Sequence, residues 1–227
     1  TDVWIVSEYG HCQVERAIHP NRLLREKGWL RVRQGPYGEQ LDTFGSEAFA
    51  VCDHQVAHVY VANPDRVAAV AEALAAAPGV ARVLSGEERG EVGLNHPRSG
   101  ELVLLSEPDA WFAYPFWVDD RAAPDYARCV AIHHKPGYDP CELFVDPKIW
   151  LPKVRIIRKV LQKKLGFRMA MNVIPLDAGL VKGSHGLPSA DPLDGPLLIG
   201  GGAKPTVSIL PMTAVRDLVL QALGLGE

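Results

Sequence analysis

The sequence predicts an α/β fold, and two observations point to it. Short apolar segments rich in β-branched residues alternate along the 227 residues with segments that carry apolar residues at helical spacing. One strand–helix–strand run, over residues 56–84, is compact enough to form a structural unit. The composition, with 47% hydrophobic and 22% charged residues, is that of a globular protein with its own core.

The first predicted element is an apolar strand at residues 2–6, which we expect to be buried. It ends in a polar Ser-Glu-Tyr-Gly motif at residues 7–10, and open α/β sheets keep their chemistry at the carboxyl ends of such strands. A short helix over residues 19–28 and a strand over residues 29–33 follow. Because the chain opens directly on a strand, we expect it to be a fragment of a larger domain.

The middle of the chain alternates strands with a helix. Residues 48–52 and 56–61 form two strands or one bent strand, with Asp-His-Gln between them. Pro64 starts a helix whose apolar residues have helical spacing, and residues 79–84 return as a strand. The region 86–147 is dense in Pro, Gly and charge, which predicts long ordered loops around a pair of strands, and such loops are often functional.

The last part of the chain contains two amphipathic helices. The first, over residues 152–165, is predicted to turn its apolar residues inward and its six basic residues largely outward. The inward residues are Val154, Ile157, Leu161 and Leu165. A strand at residues 169–174 and a stretch rich in Gly and Pro at residues 179–205 lead to a closing helix over residues 213–223, which is predicted to bury its apolar face.

Charge and composition exclude several classes of partner. The net charge of −3 and the pI of about 6.2 give no general attraction for nucleic acid or for an anionic membrane. The basic residues of the helix over residues 152–165 are typical of a solvated face. No run approaches the ~18–20 consecutive apolar residues that a membrane span needs. We therefore expect no nucleic-acid and no membrane partner, and the oligomeric state stays open.

The four cysteines, Cys12, Cys52, Cys129 and Cys141, are scattered without C-x-x-C spacing. This argues against a structural zinc site and gives no disulfide framework. Reduced thiols are typical of the cytoplasm, where we expect the protein to reside.

Two chemical groups far apart in the sequence are candidates for a metal site. His185 lies in a Gly-Ser-His-Gly motif at residues 183–186, where the flanking glycines let the backbone turn and expose the imidazole. The carboxylate of Glu8 follows the first strand, where burial without a partner is costly. A metal ion would satisfy both groups. The alternative is that His185 is a structural residue of its loop.

These two motifs and the final amphipathic helix together resemble the C-terminal part of the alkaline phosphatase superfamily, in its type I phosphodiesterase/nucleotide pyrophosphatase branch. The resemblance implies a mostly parallel central sheet flanked by helices. It also implies that residues 1–227 are the C-terminal portion of an alkaline-phosphatase-like catalytic domain. The region 86–147 matches nothing general to the family, and we interpret it as an insertion.

The resemblance also implies two divalent metal ions, Zn or Mn. In the family, a Ser-Asp-His-Gly motif supplies an Asp and a His ligand, and a later Gly-x-His-Gly supplies another His. His185 matches the later ligand, and Glu8 stands where the family has Asp. Tyr9 stands where the family has His, and a neutral phenol is a poor ligand near neutral pH.

Another histidine is therefore expected to supply the missing ligand. The nearest in the chain are His11, His19 and His54. We prefer His19 because it opens a helix just beyond the first strand; the alternative is a capping or surface role for it. His54 is interpreted as a hydrogen-bonded turn residue.

The implied activity is metal-dependent hydrolysis of a phosphodiester or pyrophosphate bond in a small molecule or nucleotide. The nucleophile, a Thr or Ser in the family, is expected upstream of this chain, so that residues 1–227 alone would be inactive. Lys135 and Asp139, in a loop at residues 132–140, are candidates for binding the substrate, or else belong to a rigid surface turn. The alternatives are a phosphonate or sulfate ester hydrolase, a phosphomutase, or a non-catalytic binding domain with a degenerate metal site.

Overall fold

The computed structural model describes residues 3–131, 135–189, 191–200 and 209–225. Its contacts divide the chain into two units. The central unit is Cys12–Leu187, and the terminal unit combines Thr1–His11 with Pro188–Glu227.

The described residues form strands, α-helices and short 3-10 helices, which confirms the mixed α/β class. The strands are β1 (Trp4–Val6), β2 (Cys12–Gln13), β3 (Arg16–Ile18), β4 (Arg31–Gly35), β5 (Gly38–Asp42), β6 (Ala48–Asp53), β7 (Val56–Val61), β8 (Val80–Ser85), β9 (Leu102–Ser106), β10 (Ala110–Phe112), β11 (Gly183–Ser184) and β12 (Leu198–Gly200). The α-helices are α1 (Pro20–Glu26), α2 (Val67–Ala75), α3 (Pro152–Lys164) and α4 (Ala214–Ala222). The 3-10 helices are Pro64–Arg66, Gly86–Val92, Asp125–Arg128, Pro140–Leu143, Ala178–Leu180 and Pro192–Asp194.

The central unit is built on a four-stranded sheet in the order β6-β7-β9-β8. The predicted strand–helix–strand run is present as β7, α2 and β8. Its two strands are not neighbours, because β9 lies between them and pairs antiparallel with both. In consequence β7 and β8 run in the same direction but are separated by one strand.

The direction of the strands differs from the expected mostly parallel sheet. Every pairing within the four-stranded sheet is antiparallel, and among the described strands the parallel pairing is that of β3 with β10. For β6 and β7 the reason is local, because these strands are joined by a turn of two residues, and a turn this short can connect only antiparallel strands.

The core of the central unit covers both faces of β9, whose five residues are all buried. On one face, Leu102 and Leu104 pack in a cluster with Leu74 of α2 and with aromatic side chains. The buried aromatic members of this cluster are Phe112, Tyr114, Phe116 and Trp117. On the other face, Val103 and Leu105 pack in a smaller cluster with Leu84. The side chains of β9 are therefore buried on both faces of the four-stranded sheet.

Helix α3 forms where it is predicted, but its apolar residues are not buried. Val154, Ile157, Leu161 and Leu165 are 56%, 58%, 53% and 73% exposed. The helix itself is favoured locally by a proline at its start and basic residues in its last turn. The periodic pattern sets which side of a helix is apolar, but burial also needs a partner surface. The predicted strand at residues 169–174 is reduced to one bridge between Cys129 and Asn172.

In the terminal unit, β1 and β12 form an antiparallel pair. The predicted strand is present, but it is not buried, since Ile5 and Val6 are 61% and 48% exposed. A pair of strands leaves both of its faces uncovered unless another layer packs on it. Helix α4 likewise has no buried residue. No helix among the described residues is long and apolar enough to cross a membrane.

Candidate functional site

The Gly-Ser-His-Gly motif is held against the start of the central unit by strand pairing. In the β2–β11 pair, Ser184 lies opposite Cys12 and Gly183 opposite Gln13. The backbone amide of Val14 extends this pairing by donating to the oxygen of Lys182 at 3.1 Å. The motif near the end of the chain is therefore fixed beside a segment that begins four residues after Glu8 in the sequence.

The turn between β6 and β7 packs against the same motif. The amide of Gln55 donates to the backbone oxygen of His185 at 3.0 Å. The following residue, Gly186, has a φ of +119°, a conformation that side chains rarely adopt. A Cβ at Gly186 would lie 3.4 Å from the nitrogen of Gln55, so the glycine permits both the turn and the close approach.

The side chain of Gln55 fastens this turn to two other strands. It is fully buried, and its amide nitrogen donates to the oxygens of Pro108 and Ala110, each at 3.1 Å. Its amide oxygen accepts from the thiol of Cys12 at 3.0 Å. A buried amide with partners on both atoms is oriented firmly, and it therefore fixes the position of the neighbouring His54.

We define the histidine cluster as His54, Tyr138, Ser184 and His185. The ring centroids of His54 and His185 are 3.8 Å apart with an interplanar angle of 37°. The ring of Tyr138 lies 4.8 Å from that of His54, again centroid to centroid. Nδ1 of His54 lies 3.3 Å from Oγ of Ser184, a side chain that is almost completely buried. The cluster thus joins residues that are separated by up to 131 positions in the sequence.

His54 has an unusual backbone conformation. Its φ is +54°, and it is the one residue other than glycine with a positive φ in the described ranges 3–131, 135–189, 191–200 and 209–225. Its backbone oxygen accepts from the amide of Phe112 at 2.6 Å. Residues held in the left-handed region cost of order 1–3 kcal/mol and persist where their surroundings enforce them. Here the enforcing contacts are those of Gln55 and Phe112.

A cleft of about 350 Å³ adjoins the cluster and shares Tyr138 with it. It is lined by Val51, Cys52, Asp53, Lys135, Gly137, Tyr138, Asp139 and Glu142. The ammonium of Lys135 lies 2.7 Å from Oδ2 of Asp139 and 3.0 Å from Oε1 of Glu142. The positive charge of Lys135 is therefore already neutralised by two neighbouring carboxylates.

Burial sets the electrostatics of this wall of the cleft. It raises the pKa of Asp139 above its usual range, and Lys135 acts in the opposite direction. Asp139 also accepts a hydrogen bond from the amide of Cys141 at 3.0 Å, which caps the 3-10 helix Pro140–Leu143. Residues 132–134, which include two of the histidines of the predicted substrate loop, lie outside the described residues.

The other predicted site residues belong to other elements. Glu8 is exposed in the terminal unit, two residues after the end of β1. In the same unit the rings of Tyr9 and His11 meet edge to face at 5.3 Å. In the central unit, His19 is the residue before α1 and makes no side-chain cap to that helix. Burial, with a smaller contribution from Arg22, lowers the pKa of His19 to about 4.

The donor types of the cluster suit a transition-metal ion. Imidazole nitrogen is an ordinary ligand of zinc and of manganese. Across the part of the chain that the structure describes, no group of three or more His, Cys, Asp and Glu side chains is arranged to hold a metal ion. The cluster therefore provides two nitrogen donors, which fit part of such a site in chemistry but do not complete it.

Comparison with known proteins identifies the family. The model of the family described as type I phosphodiesterase/nucleotide pyrophosphatase matches residues 1–139, which is more than half of the 227 residues. The chain belongs to this family. The match confirms the resemblance seen in the sequence motifs. It includes the Ser-Glu-Tyr-Gly motif and His54, and it ends before His185.

Solved structures of phosphonoacetate hydrolase from Sinorhizobium meliloti 1021 are also similar to this phosphodiesterase-family chain. The complex with phosphonoacetate is 19% identical, with a TM-score of 0.38, and the match covers 55% of this chain and 30% of the hydrolase. The complex with phosphonoformate is 20% identical, with a TM-score of 0.36, and the match covers 51% and 29%. This family member therefore spans less than a third of either hydrolase chain. A comparison with curated proteins gives no match.

From the sequence, His54 is one of three histidines near the first motif and is interpreted as a hydrogen-bonded turn residue, not as a residue of the site. The sequence feature that points to His54 is the Asp-His-Gln segment between two apolar strands. An ordinary hairpin turn has the same pattern, so this feature does not distinguish the two. Gln55 and Tyr138 lie in segments that the sequence singles out, but nothing in the sequence places them beside His185. Their role follows from packing between segments that are distant along the chain.

Proposed function

We propose that this protein hydrolyses a phosphodiester or pyrophosphate bond in a small molecule or nucleotide, with the help of two divalent metal ions, Zn or Mn. The observation that carries the proposal is the family match over residues 1–139, because it includes the Ser-Glu-Tyr-Gly motif where the family has metal ligands. The pairing of Ser184 with Cys12 supports it, because this pairing holds the second predicted motif beside β2.

In this proposal, the carboxylate of Glu8 and the imidazoles of His185 and His19 bind metal. When bound, such ions would lower the pKa of an oxygen nucleophile and offset negative charge on the phosphoryl oxygens. His185 is suited to the task because its backbone oxygen is fixed by Gln55, which restricts the positions that its ring can take. The low pKa of His19 keeps its imidazole neutral, which is the form that binds metal.

Lys135 and Asp139 contribute to substrate binding at the cleft. Asp139, Glu142 and the backbone oxygen of Ala127 take up the three donors of the Lys135 ammonium, so the lysine offers a substrate no unmatched positive charge. The carboxylate oxygens of Asp139 and Glu142 are the groups that can accept hydrogen bonds from a substrate. The wall formed by these three residues suits a hydroxyl or amide of the substrate better than its phosphate. The nucleophile, a Thr or Ser, is expected outside residues 1–227.

The proposal is tested on the full-length protein purified after growth with added zinc and manganese. We expect about two transition-metal equivalents by elemental analysis and metal-dependent hydrolysis of bis(p-nitrophenyl) phosphate. The variants Glu8→Gln and His185→Asn should each lower turnover by at least about 100-fold. Glu72→Gln, which changes an exposed residue of α2, is the matched control and should leave turnover unchanged.

Three outcomes would overturn the proposal. A protein free of metal after metal-replete growth would indicate a non-catalytic binding domain. Turnover of a phosphonate or sulfate ester, or transfer of phosphate within one molecule, with no phosphodiester hydrolysis would assign another reaction. Full activity of both ligand variants would remove Glu8 and His185 from the site.

A further inference from the structure

Helix α3 has an apolar side that no described residue covers. Four of its apolar residues recur every three or four positions, so they share one side of the helix. They are Val154, Ile157, Leu161 and Leu165, each more than half exposed, and we call them the α3 stripe. The opposite side carries the partly buried residues Pro152, Ile156 and Lys159. The helix therefore turns its apolar side outward.

Basic residues border the α3 stripe on both sides. Lys153 and Lys164, about three turns apart, border one side, and Arg158 borders the other. Residues 147–168 contain eight basic residues and no acidic residue. A surface that covers the stripe must therefore be apolar at its centre and must bring its own negative charge at the edges.

Exposed aromatic side chains lie at the two ends of the helix. Trp150, two residues before α3, is 90% exposed, and Phe167, three residues after it, is 65% exposed. An apolar face with Leu, Phe and Trp, next to many lysines and arginines, is typical of helices that lie in the interface between a bilayer and water.

An anionic bilayer matches this combination better than a protein or a nucleic acid does. Lysine and arginine can leave their charged ends among the lipid headgroups while the stripe enters the apolar region. A protein layer over the stripe would have to supply a carboxylate for each cation that it buries, because α3 has none. A nucleic acid would neutralise the cations but would leave the stripe in water.

We propose that the α3 stripe and its bordering cations bind the surface of an anionic phospholipid membrane. The net charge of −3 does not oppose this binding, because charges act on a surface mainly within a Debye length, ~10 Å at 0.1 M salt. The expectation of no membrane partner came from that net charge, which averages over the whole chain. With 13 residues, α3 lies along the bilayer. The proposal is independent of the proposed function.

The test measures cosedimentation of the full-length protein with lipid vesicles. The protein should bind vesicles of phosphatidylcholine and phosphatidylglycerol in equal amounts at least about 10-fold more tightly than vesicles of phosphatidylcholine alone. The double variant Leu161→Gln/Leu165→Gln should weaken binding to the mixed vesicles by at least about 10-fold. Both leucines are exposed and glutamine favours helices, so the fold is preserved. The matched control is Leu193→Gln/Leu197→Gln, two exposed leucines with the same spacing outside α3, which should have no effect.

The bordering cations are tested in the same way. Lys153→Gln/Lys164→Gln should weaken binding to the mixed vesicles by about 5-fold for each lysine, and the loss should be smaller at high salt. The control Lys27→Gln/Arg98→Gln removes two exposed cations elsewhere in the central unit and should have little effect.

Fluorescence quenching locates the bound surface without changing the stripe. Lipids with brominated acyl chains should quench the emission of Trp150, and Trp150→Phe should remove this quenching. The proposal is overturned if the full-length protein does not bind the mixed vesicles, or if the leucine variant and its control bind equally well. A dimer that Leu161→Gln/Leu165→Gln dissociates, without vesicle binding, would assign the stripe to a second copy. Binding of duplex DNA in place of vesicles would assign the cations to nucleic acid.

Discussion

The ammonium of Lys135 and the carboxylate of Asp139 form a buried ion pair with an N–O distance of 2.7 Å. Both side chains are more than nine-tenths buried. Glu142, on the 3-10 helix that Asp139 caps, brings a second carboxylate to the lysine. The backbone oxygen of Ala127 accepts a further hydrogen bond from Lys135 at 3.3 Å. This arrangement connects Lys135 and Asp139 to Glu142 and to the backbone of Ala127.

Replacing Lys135 by methionine should destabilise the protein by about 3–5 kcal/mol. The substitution keeps the length of the side chain but leaves two carboxylates buried without their cation. Urea unfolding measures the change. The matched control is Arg121→Gln, which breaks an exposed pair with Asp119 and should leave the urea midpoint nearly unchanged. Equal effects of the two variants would show that burial of the pair has no consequence for stability.

The ion pair between Arg25 and Glu39 should make stability depend on acid pH. Its hydrogen bond with Arg25 holds the pKa of Glu39 below its usual range. A carboxyl with a lowered folded-state pKa contributes stability above its unfolded pKa, and that contribution is lost as the pH falls below about 4. Urea midpoints measured from about pH 3 to about pH 7 should fall less steeply at the acid end in Glu39→Gln than in the unaltered protein.

Glu107→Gln is the control for this measurement. Glu107 is exposed, and its side chain makes no hydrogen bond with the residues that the structure describes. At acid pH, the urea midpoint of Glu107→Gln should change with pH as it does in the unaltered protein. If the urea midpoints of Glu39→Gln and of the unaltered protein fell in parallel at every pH, the loss of stability in acid could not be assigned to Glu39.

Removing the side-chain amide of Gln55 should loosen the turn that holds His54. Gln55→Leu preserves much of the volume but leaves the oxygen of Pro108 without its donor and the oxygen of Ala110 with only the hydroxyl of Ser106. We expect a loss of about 1–3 kcal/mol. Thermal or urea unfolding measures it. Gln221→Leu, at an exposed position of α4, is the control, with an expected change of about 0.5 kcal/mol or less.

Adding a Cβ at Gly186 should disturb the loop that carries His185. In Gly186→Ala, the φ of +119° becomes strained and the new atom lies 3.4 Å from the nitrogen of Gln55. We expect a destabilisation of about 1–3 kcal/mol and a change in the NMR signals of the His185 ring. Gly28→Ala is the comparison, because Gly28 also has a positive φ but meets nothing within 4 Å.

The Gly28→Ala variant should therefore lose stability without changing the His185 signals. A Gly186→Ala protein with unchanged stability and unchanged ring signals would show that the loop does not depend on this glycine.

Much of the local structure could be predicted from the sequence. The helices α1, α2, α3 and α4 lie where caps, prolines and periodicity indicate them, and β6 and β7 lie on either side of the Asp-His-Gln turn. These features depend on neighbouring residues, whose conformational preferences the pattern reports directly. The family could be predicted too, because its motifs are short and local.

Burial and strand order could not be predicted in the same way. The apolar residues of α3 and β1 have the expected periodicity, yet they are exposed. The insertion of β9 between β7 and β8 depends on which strand buries both of its faces, and that choice is made by the clusters around Leu102 and Val103. A pattern that is amphipathic is compatible with several partners, so it does not select one.

The sequence by itself determined the elements of this protein, its family, and the glycine-flanked His185 as a candidate ligand. The tertiary structure alone decided that His54 lies beside His185 and that Lys135 is neutralised by two buried carboxylates. The physical reason is that helices, turns and motifs arise from interactions over a few residues. The contact of His54 with His185 exists only once β2, β11 and the β6–β7 hairpin have packed together.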